Sequence, residues 1–148
     1  MLTIQTKTMG EIAIDERQVI TFPAGLIGFE DFTRYALLDA PQKPYFYLQS
    51  LQTPDLNFIL LDPFLFRPDY TIDAPDEYTT QLGIKTPEDA LVLVLVTVPP
   101  GGGAVTANLM GPLLISRTTR LGVQLVLADP RWSVKHDILA ELARVKKE

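Results

Sequence analysis

The chain is a succession of short period-two apolar runs, each cut off within a few residues by Pro, Gly, Asp or Asn. LTIQTK sets Leu2, Ile4 and Thr6 against polar neighbours, EIAI follows a turn at Met9-Gly10, and QVITF stops at Pro23. RYALLDA, YFYLQS, NFILLD, ALVLVLVTV, AVTANL, PLLIS and GVQLVLA continue the pattern. Successive strand side chains point to opposite faces, so alternation rich in branched and aromatic residues reads as strand. Strands this short, with 12 prolines among 148 residues, have no room for the long crossover helices of a parallel α/β sheet. The expected fold class is all-β: a compact antiparallel barrel-like fold with short helical segments and a short C-terminal helix. The length fits one domain over 1–148, and the 47% apolar content supplies a core without cross-links.

Helix signals are few. Asp73-Ala-Pro75 opens a short segment through DEYTTQL that Gly83 stops, and TPED (86–89) reads as a single turn. Asp137 is placed to cap a C-terminal helix with Ile138, Leu139, Leu142 and Val145 on one face and Lys146 and Lys147 in its last turn. PPGGG (99–103) lies between two strands and reads as a mobile hairpin loop.

The chemistry-bearing residues are sparse. With no Cys and a single His, neither a thiolate nucleophile nor a zinc site is expected. No Gly-x-Ser-x-Gly elbow surrounds Ser50, Ser116 or Ser133, and GGG at 101–103 is followed by no Lys-Ser/Thr pair for a phosphate loop. Asp69, Asp73, Asp76 and Glu77 lack the spacing of a calcium loop. No cofactor or metal is implied. The N-terminal stretch has no basic flank leading into an apolar run, and the longest apolar run, residues 90–98, is far too short to span a bilayer. The expectation is a cytoplasmic protein with no membrane association.

Charge is unevenly distributed. Residues 41–90 hold eight acids against three bases, residues 91–128 hold no acid, and the net charge is −5. An acidic body repels the phosphate backbone, so direct nucleic-acid binding is disfavoured and a basic protein partner is favoured. Aromatics crowd the same acidic half, in YFYLQ and FILLDPFLFRPDY. Seven apolar residues within 58–66 leave too little polarity for a strand with one wet face, so either both faces are covered or one is an interface. Gln49, Asn57 and Asp62 stand inside apolar surroundings, where such side chains bond to irregular backbone. In TANLMGPLLIS, Asn108 and Gly111-Pro112 interrupt an apolar run; the amide suits a bend, and Pro112 removes a ladder donor, as at a corner or edge.

Five stretches in order, VITFPAGLIGFEDF (19–32), YFYLQS (45–50), NFILLDPFLFRPDY (57–70), TVPP (97–100) and TANLMGPLLIS (106–116) followed by GVQLVL (122–127), resemble the FliW-type flagellar assembly factors. The chain departs from that pattern in the PPGGG loop and in residues 132–136. The resemblance implies a barrel-like antiparallel fold, no enzyme activity, and two protein partners, flagellin and the RNA-binding translational repressor CsrA. Free flagellin would occupy the factor. Once flagellin is exported, the released factor would bind CsrA and relieve repression of flagellin translation. Two other classes remain compatible with the residues alone: a small hydrolase with an unrecognised carboxylate pair, and a structural subunit of a larger assembly.

Exposed apolar residues flanked by acids make the best anchor for a basic partner. The expected partner-binding residues are the anchors Tyr47, Phe58, Phe64 and Tyr70, joined by Tyr78. The steering charges are Asp62, Asp69, Asp73, Asp76 and Glu77. The polar and corner residues Asn57, Asn108 and Pro112 complete the set.

Overall fold

The computed structural model describes residues 1–147. A short hairpin, β1 (Leu2–Gln5) and β2 (Glu11–Ile14), stands apart from the main sheet. The main sheet contains β3 (Val19–Thr21), β4 (Arg34–Asp39), β5 (Phe46–Ser50), β6 (Asn57–Leu61), β7 (Ala90–Thr97), β8 (Thr106–Ala107), β9 (Leu113–Ser116), β10 (Gly122–Gln124) and β11 (His136–Asp137). Its order is β10-β9-β7-β6-β5-β4-β3, with β8 also pairing β7 and β11 pairing β8, and every ladder is antiparallel. Two helices complete the fold: α1 (Asp76–Leu82) and α2 (Ile138–Lys147).

The expected all-β antiparallel fold is present, but the sheet is not a closed barrel. Its edges, β3 and β10, meet at one bridge, Thr21 with Leu121, where the Thr21 N–H donates to the Arg120 carbonyl at 2.9 Å. Pro23 ends β3 directly afterwards and supplies no further donor. The approach depends on Gly122, where a Cβ would lie 2.5 Å from the Phe22 ring.

Strands β6 and β7 divide two apolar cores. Phe58 and Leu60 of β6, with Leu91, Leu93 and Leu95 of β7, face one core with Ile20, Phe22, Tyr35, Leu48 and Ile115. The alternate residues Ile59, Leu61, Val92, Val94 and Val96 face a second, with Phe66, Tyr70, Leu109, Trp132 and Ile138. This resolves the apolar run at 58–66: both faces of its strand portion are covered. The second face is covered largely by the segment after β6 and by the chain around α2. The β1–β2 hairpin packs on the outer side of β4 and β5 through Ala36, Leu38 and Tyr47.

The helices follow their signals. Gly83, at φ 75°, ends α1 in the left-handed conformation that favours glycine. Asp137 caps α2 by accepting the Ala140 N–H at 3.1 Å. Ile138 is buried and Leu142 is half-buried, whereas Leu139, placed on the same face by the sequence pattern, is 73% exposed. Lys146 and Lys147 fall in the last turn of α2 as expected, and their side chains lie outside the described part of the structure. AVTANL shrinks to the two-residue β8, because Asn108 begins a bend there.

Candidate partner-binding surface

The turn after β6 decides which predicted anchors reach the surface. Asp62 caps it by accepting the Phe64 N–H at 2.9 Å, and Pro63 begins a single 3-10 turn over Pro63–Leu65. That turn directs Phe64 outward at 44% exposure, with Leu65 exposed beside it, and sends Phe66 into the second core. Tyr70 follows Phe66 inward. It is 2% exposed, its ring stands edge-on to Trp132 with centroids 4.8 Å apart, and its hydroxyl donates to the Leu109 carbonyl at 2.6 Å. Burial raises its pKa well above the usual tyrosine value. Tyr70 is therefore an internal brace, which corrects its expected place as an exposed anchor.

Tyr47 and Phe58 do not form one patch. Leu48 pairs with Phe58 and Tyr47 with Ile59, so the two aromatics face opposite sides of the sheet. Half-buried Phe58 packs edge-on against Phe29 with centroids 5.1 Å apart. Half-buried Tyr47 packs near the β1–β2 hairpin. Asn57, opposite Gln49 at the start of β6, has a buried Oδ1 with no hydrogen-bond partner among the described residues, which corrects its expected bond to irregular backbone. Gln49 is fully engaged: it accepts the Lys7 N–H at 3.0 Å and donates to the Pro54 carbonyl at 2.9 Å.

Asn108 and Pro112 build the bend that interrupts TANLMGPLLIS. Asn108 Oδ1 accepts the Gly111 N–H at 2.9 Å, and the buried Pro112 offers its carbonyl to the Leu125 N–H at 2.9 Å. Gln124 closes the corner by donating to the Gly111 carbonyl and accepting the Ile27 N–H. Pro112 is thus held inside the corner and is not available as a surface contact. Exposed Ile27, Val126 and Val134 surround this corner, and the sequence pattern did not single them out.

The five candidate steering acids separate into two groups. Asp62 is engaged in its turn. Asp69 accepts two bonds from Arg67, Nε to Oδ1 and Nη2 to Oδ2, both at 2.9 Å. Hydrogen bonding from this guanidinium lowers the Asp69 pKa to about 2. Arg67, with a side chain only 10% exposed, also donates to Glu141 at 3.2 Å and lies 4.7 Å over the Trp132 ring. His136 completes the brace. Its Nε2 accepts the Ser133 N–H at 2.9 Å, so Nδ1 carries the proton toward Glu141 Oε1 at 3.2 Å. The lone histidine is a partly packed structural imidazole. By contrast, Asp73, Asp76 and Glu77 are exposed and make no ion pair among the described residues. Tyr78, on α1, is half-buried against Leu82, Leu114 and Leu125.

A cleft of about 350 Å³ lies between α1 and the 84–87 turn, over β7 and β9, with Lys85 as the charged residue of its lining. Ile72, Ala74, Ile84, Ala90, Val92 and Leu114 make its apolar lining. The sequence pattern missed it because its walls come from four separate segments; small apolar residues alternating with acids at 72–74 are the trace it leaves. Among the described residues no group of three or more His, Asp or Glu could hold a metal ion, and no helix is long and apolar enough to cross a membrane.

These features define an all-β protein whose candidate surface combines free carboxylates with apolar recesses. The FliW protein family model matches residues 3–138, and the chain belongs to that family. It is 50% identical over 142 residues to the flagellar assembly factor FliW of Treponema pallidum, covering 96% of this chain and 95% of the relative. The flagellar assembly factor FliW of Treponema denticola is 49% identical over 141 residues, covering 95% of this chain and 96% of the relative. A crystal structure of a flagellar assembly factor FliW superposes with a TM-score of 0.84 at 36% identity, covering 92% of this chain and 96% of that one.

Proposed function

We propose that this chain is a non-enzymatic, cytoplasmic flagellar assembly factor that binds flagellin and, when released by flagellin export, binds and antagonises the translational repressor CsrA. The supporting observation is the unpaired acidic surface of Asp73, Asp76 and Glu77 in a chain with this family membership. An RNA-binding repressor carries basic surface. Free carboxylates raise its encounter rate and, once docked, oppose phosphate approach over about a Debye length, roughly 8–10 Å at physiological salt. The same charge keeps this protein off RNA. Asn57, Phe58, Phe64 and Tyr47 serve as secondary contacts where they reach the surface.

The test is a capture assay with purified flagellin and purified CsrA. Each should bind the immobilised protein alone, and pre-bound flagellin should reduce CsrA capture. The protein should release CsrA from flagellin leader RNA while producing no gel shift of that RNA itself at physiological salt. Failure of both partners to bind would contradict the proposal.

A further inference from the structure

We infer that the open edge of β10 takes an extended, uncharged segment of a partner protein as an added strand, whose aliphatic side chains enter the recess beside Val126. The inference goes beyond the proposed function and rests on neither flagellin nor CsrA.

The backbone specifies the occupant. Toward β9, the strand that begins at β10 is satisfied as far as residue 127. The Leu125 N–H donates to the Pro112 carbonyl at 2.9 Å and the Leu127 N–H to the Met110 carbonyl at 2.8 Å. Antiparallel bonding alternates, so Gln124 and Val126 turn their N–H and C=O groups to the other side. There no backbone or side-chain group among the described residues meets them, and β3 touches this edge only at Thr21 before it ends. Two donors and two acceptors therefore stand in line at strand spacing. An extended chain pairs with all four at once, whereas a helix has its own backbone groups already engaged.

The edge is also unguarded. Soluble proteins blunt exposed edges with Pro, Lys or a bulge. GVQLVLA (122–128) holds no Pro and no charge, and its register with β9 is unbroken.

The side chains set the character of the occupant. Gln124 and Val126 line a recess of about 280 Å³ that Ile27, Leu95, Met110 and Val134 help to complete. Three exposed aliphatic side chains, Ile27, Val126 and Val134, converge on it. None of its lining residues is charged, and the charges that follow in the chain, Asp129 and Arg131, pair with each other. A charged side chain entering the recess would lose hydration without gaining a counter-charge, so an aliphatic one is selected. Charge also separates a lone segment from a second copy of this chain. Each copy carries a net charge of −5, and pairing two edges would bring both bodies together.

The probe is a synthetic seven-residue peptide of alternating Val and Thr, acetylated and amidated. In amide NMR of the intact protein it should shift the Gln124 and Val126 signals saturably. The signals of Leu125 and Leu127, whose protons already point inward, should move far less. The fully N-methylated peptide has no donors and should shift neither pair. Val126→Pro removes one outward donor and no internal bond, and should weaken peptide binding at least tenfold. The methylated control holds whether or not that variant folds. Absence of shifts at Gln124 and Val126, equal shifts by the methylated peptide, or unchanged affinity in a folded Val126→Pro protein would overturn the inference and leave the proposed function standing. Concentration-dependent shifts of the same amides in the protein alone, abolished by Val126→Pro, would overturn it in favour of pairing between two copies of this chain.

Discussion

Asp69 and Asp73 lie four residues apart and carry the same formal charge, yet the fold uses them oppositely. Asp69 is clamped by Arg67 beside Trp132 and Glu141, in a brace that ties the turn after β6 to α2. Asp73, with Asp76 and Glu77, stands in solvent on the approach to α1 and its first turn with no counter-ion among the described residues. The contrast shows that charge counted along a chain overstates the charge a partner can feel. A guanidinium held at hydrogen-bond distance cancels most of the field of one carboxylate, while unpaired carboxylates a few residues away project theirs outward.

The contrast is broken most forcefully at Arg67. Replacing Arg67 with Ala removes one partner of Glu141, whose side chain is only 13% exposed and which keeps Arg144 at 3.4 Å and His136 at 3.2 Å, and also removes the cation stacked on Trp132. The expected loss is about 2 kcal/mol, because charge-assisted hydrogen bonds to Asp69 and Glu141 are lost while Glu141 keeps other partners. Chemical denaturation of the two proteins measures it. The triple change of Asp73, Asp76 and Glu77 to Lys should leave the melting temperature nearly unchanged, since exposed charges contribute little to stability. Equal destabilisation by both variants would erase the distinction between the two groups.

A smaller effect sharpens the same division. The Asp69 pKa is lowered from 3.8 to about 2, so its stabilising contribution is fully present above about pH 4 and is lost as pH falls toward 2. Asp69→Asn should therefore flatten the fall in stability across that window, read from urea midpoints between pH 5 and pH 2. Part of the fall should persist, because Arg17 holds the Asp15 carboxyl at about 2 as well. An unchanged acid profile in Asp69→Asn would contradict the clamp.

Most strands were legible because period-two patterning and Pro/Gly punctuation are local. The interrupted runs were legible for a related reason: amides in apolar surroundings need backbone partners, and Gln49 and Asn108 both have them. Closure was not legible. Whether β3 and β10 pair as a ladder or touch once depends on Phe22 packing against Gly122, 100 residues away in the chain. Tyr70 and Phe64 look alike in composition, and only the geometry of the Pro63 turn sends one inward and the other out. The engaged acids did leave a local signal. Asp15 and Arg17, Arg67 and Asp69, and Asp129 and Arg131 are each two residues apart, and each forms a pair with two or more side-chain hydrogen bonds in a loop or turn. No Arg or Lys lies within two residues of Asp73, Asp76 or Glu77, so none of them can form a pair of this kind.

The proposed docking of CsrA on this free acidic surface can be measured directly. The direct measurement is the association rate of CsrA with the wild-type protein and with the Asp73, Asp76, Glu77 to Lys variant, by stopped-flow at about 50 mM and about 200 mM salt, where screening lengths differ roughly twofold. Wild-type association should slow markedly as salt rises. The variant should associate several-fold more slowly at low salt and show a weak or inverted salt response, while remaining folded. Equal rates and equal salt dependence in the two proteins would place the docking surface away from α1 and contradict a docking role for these acids.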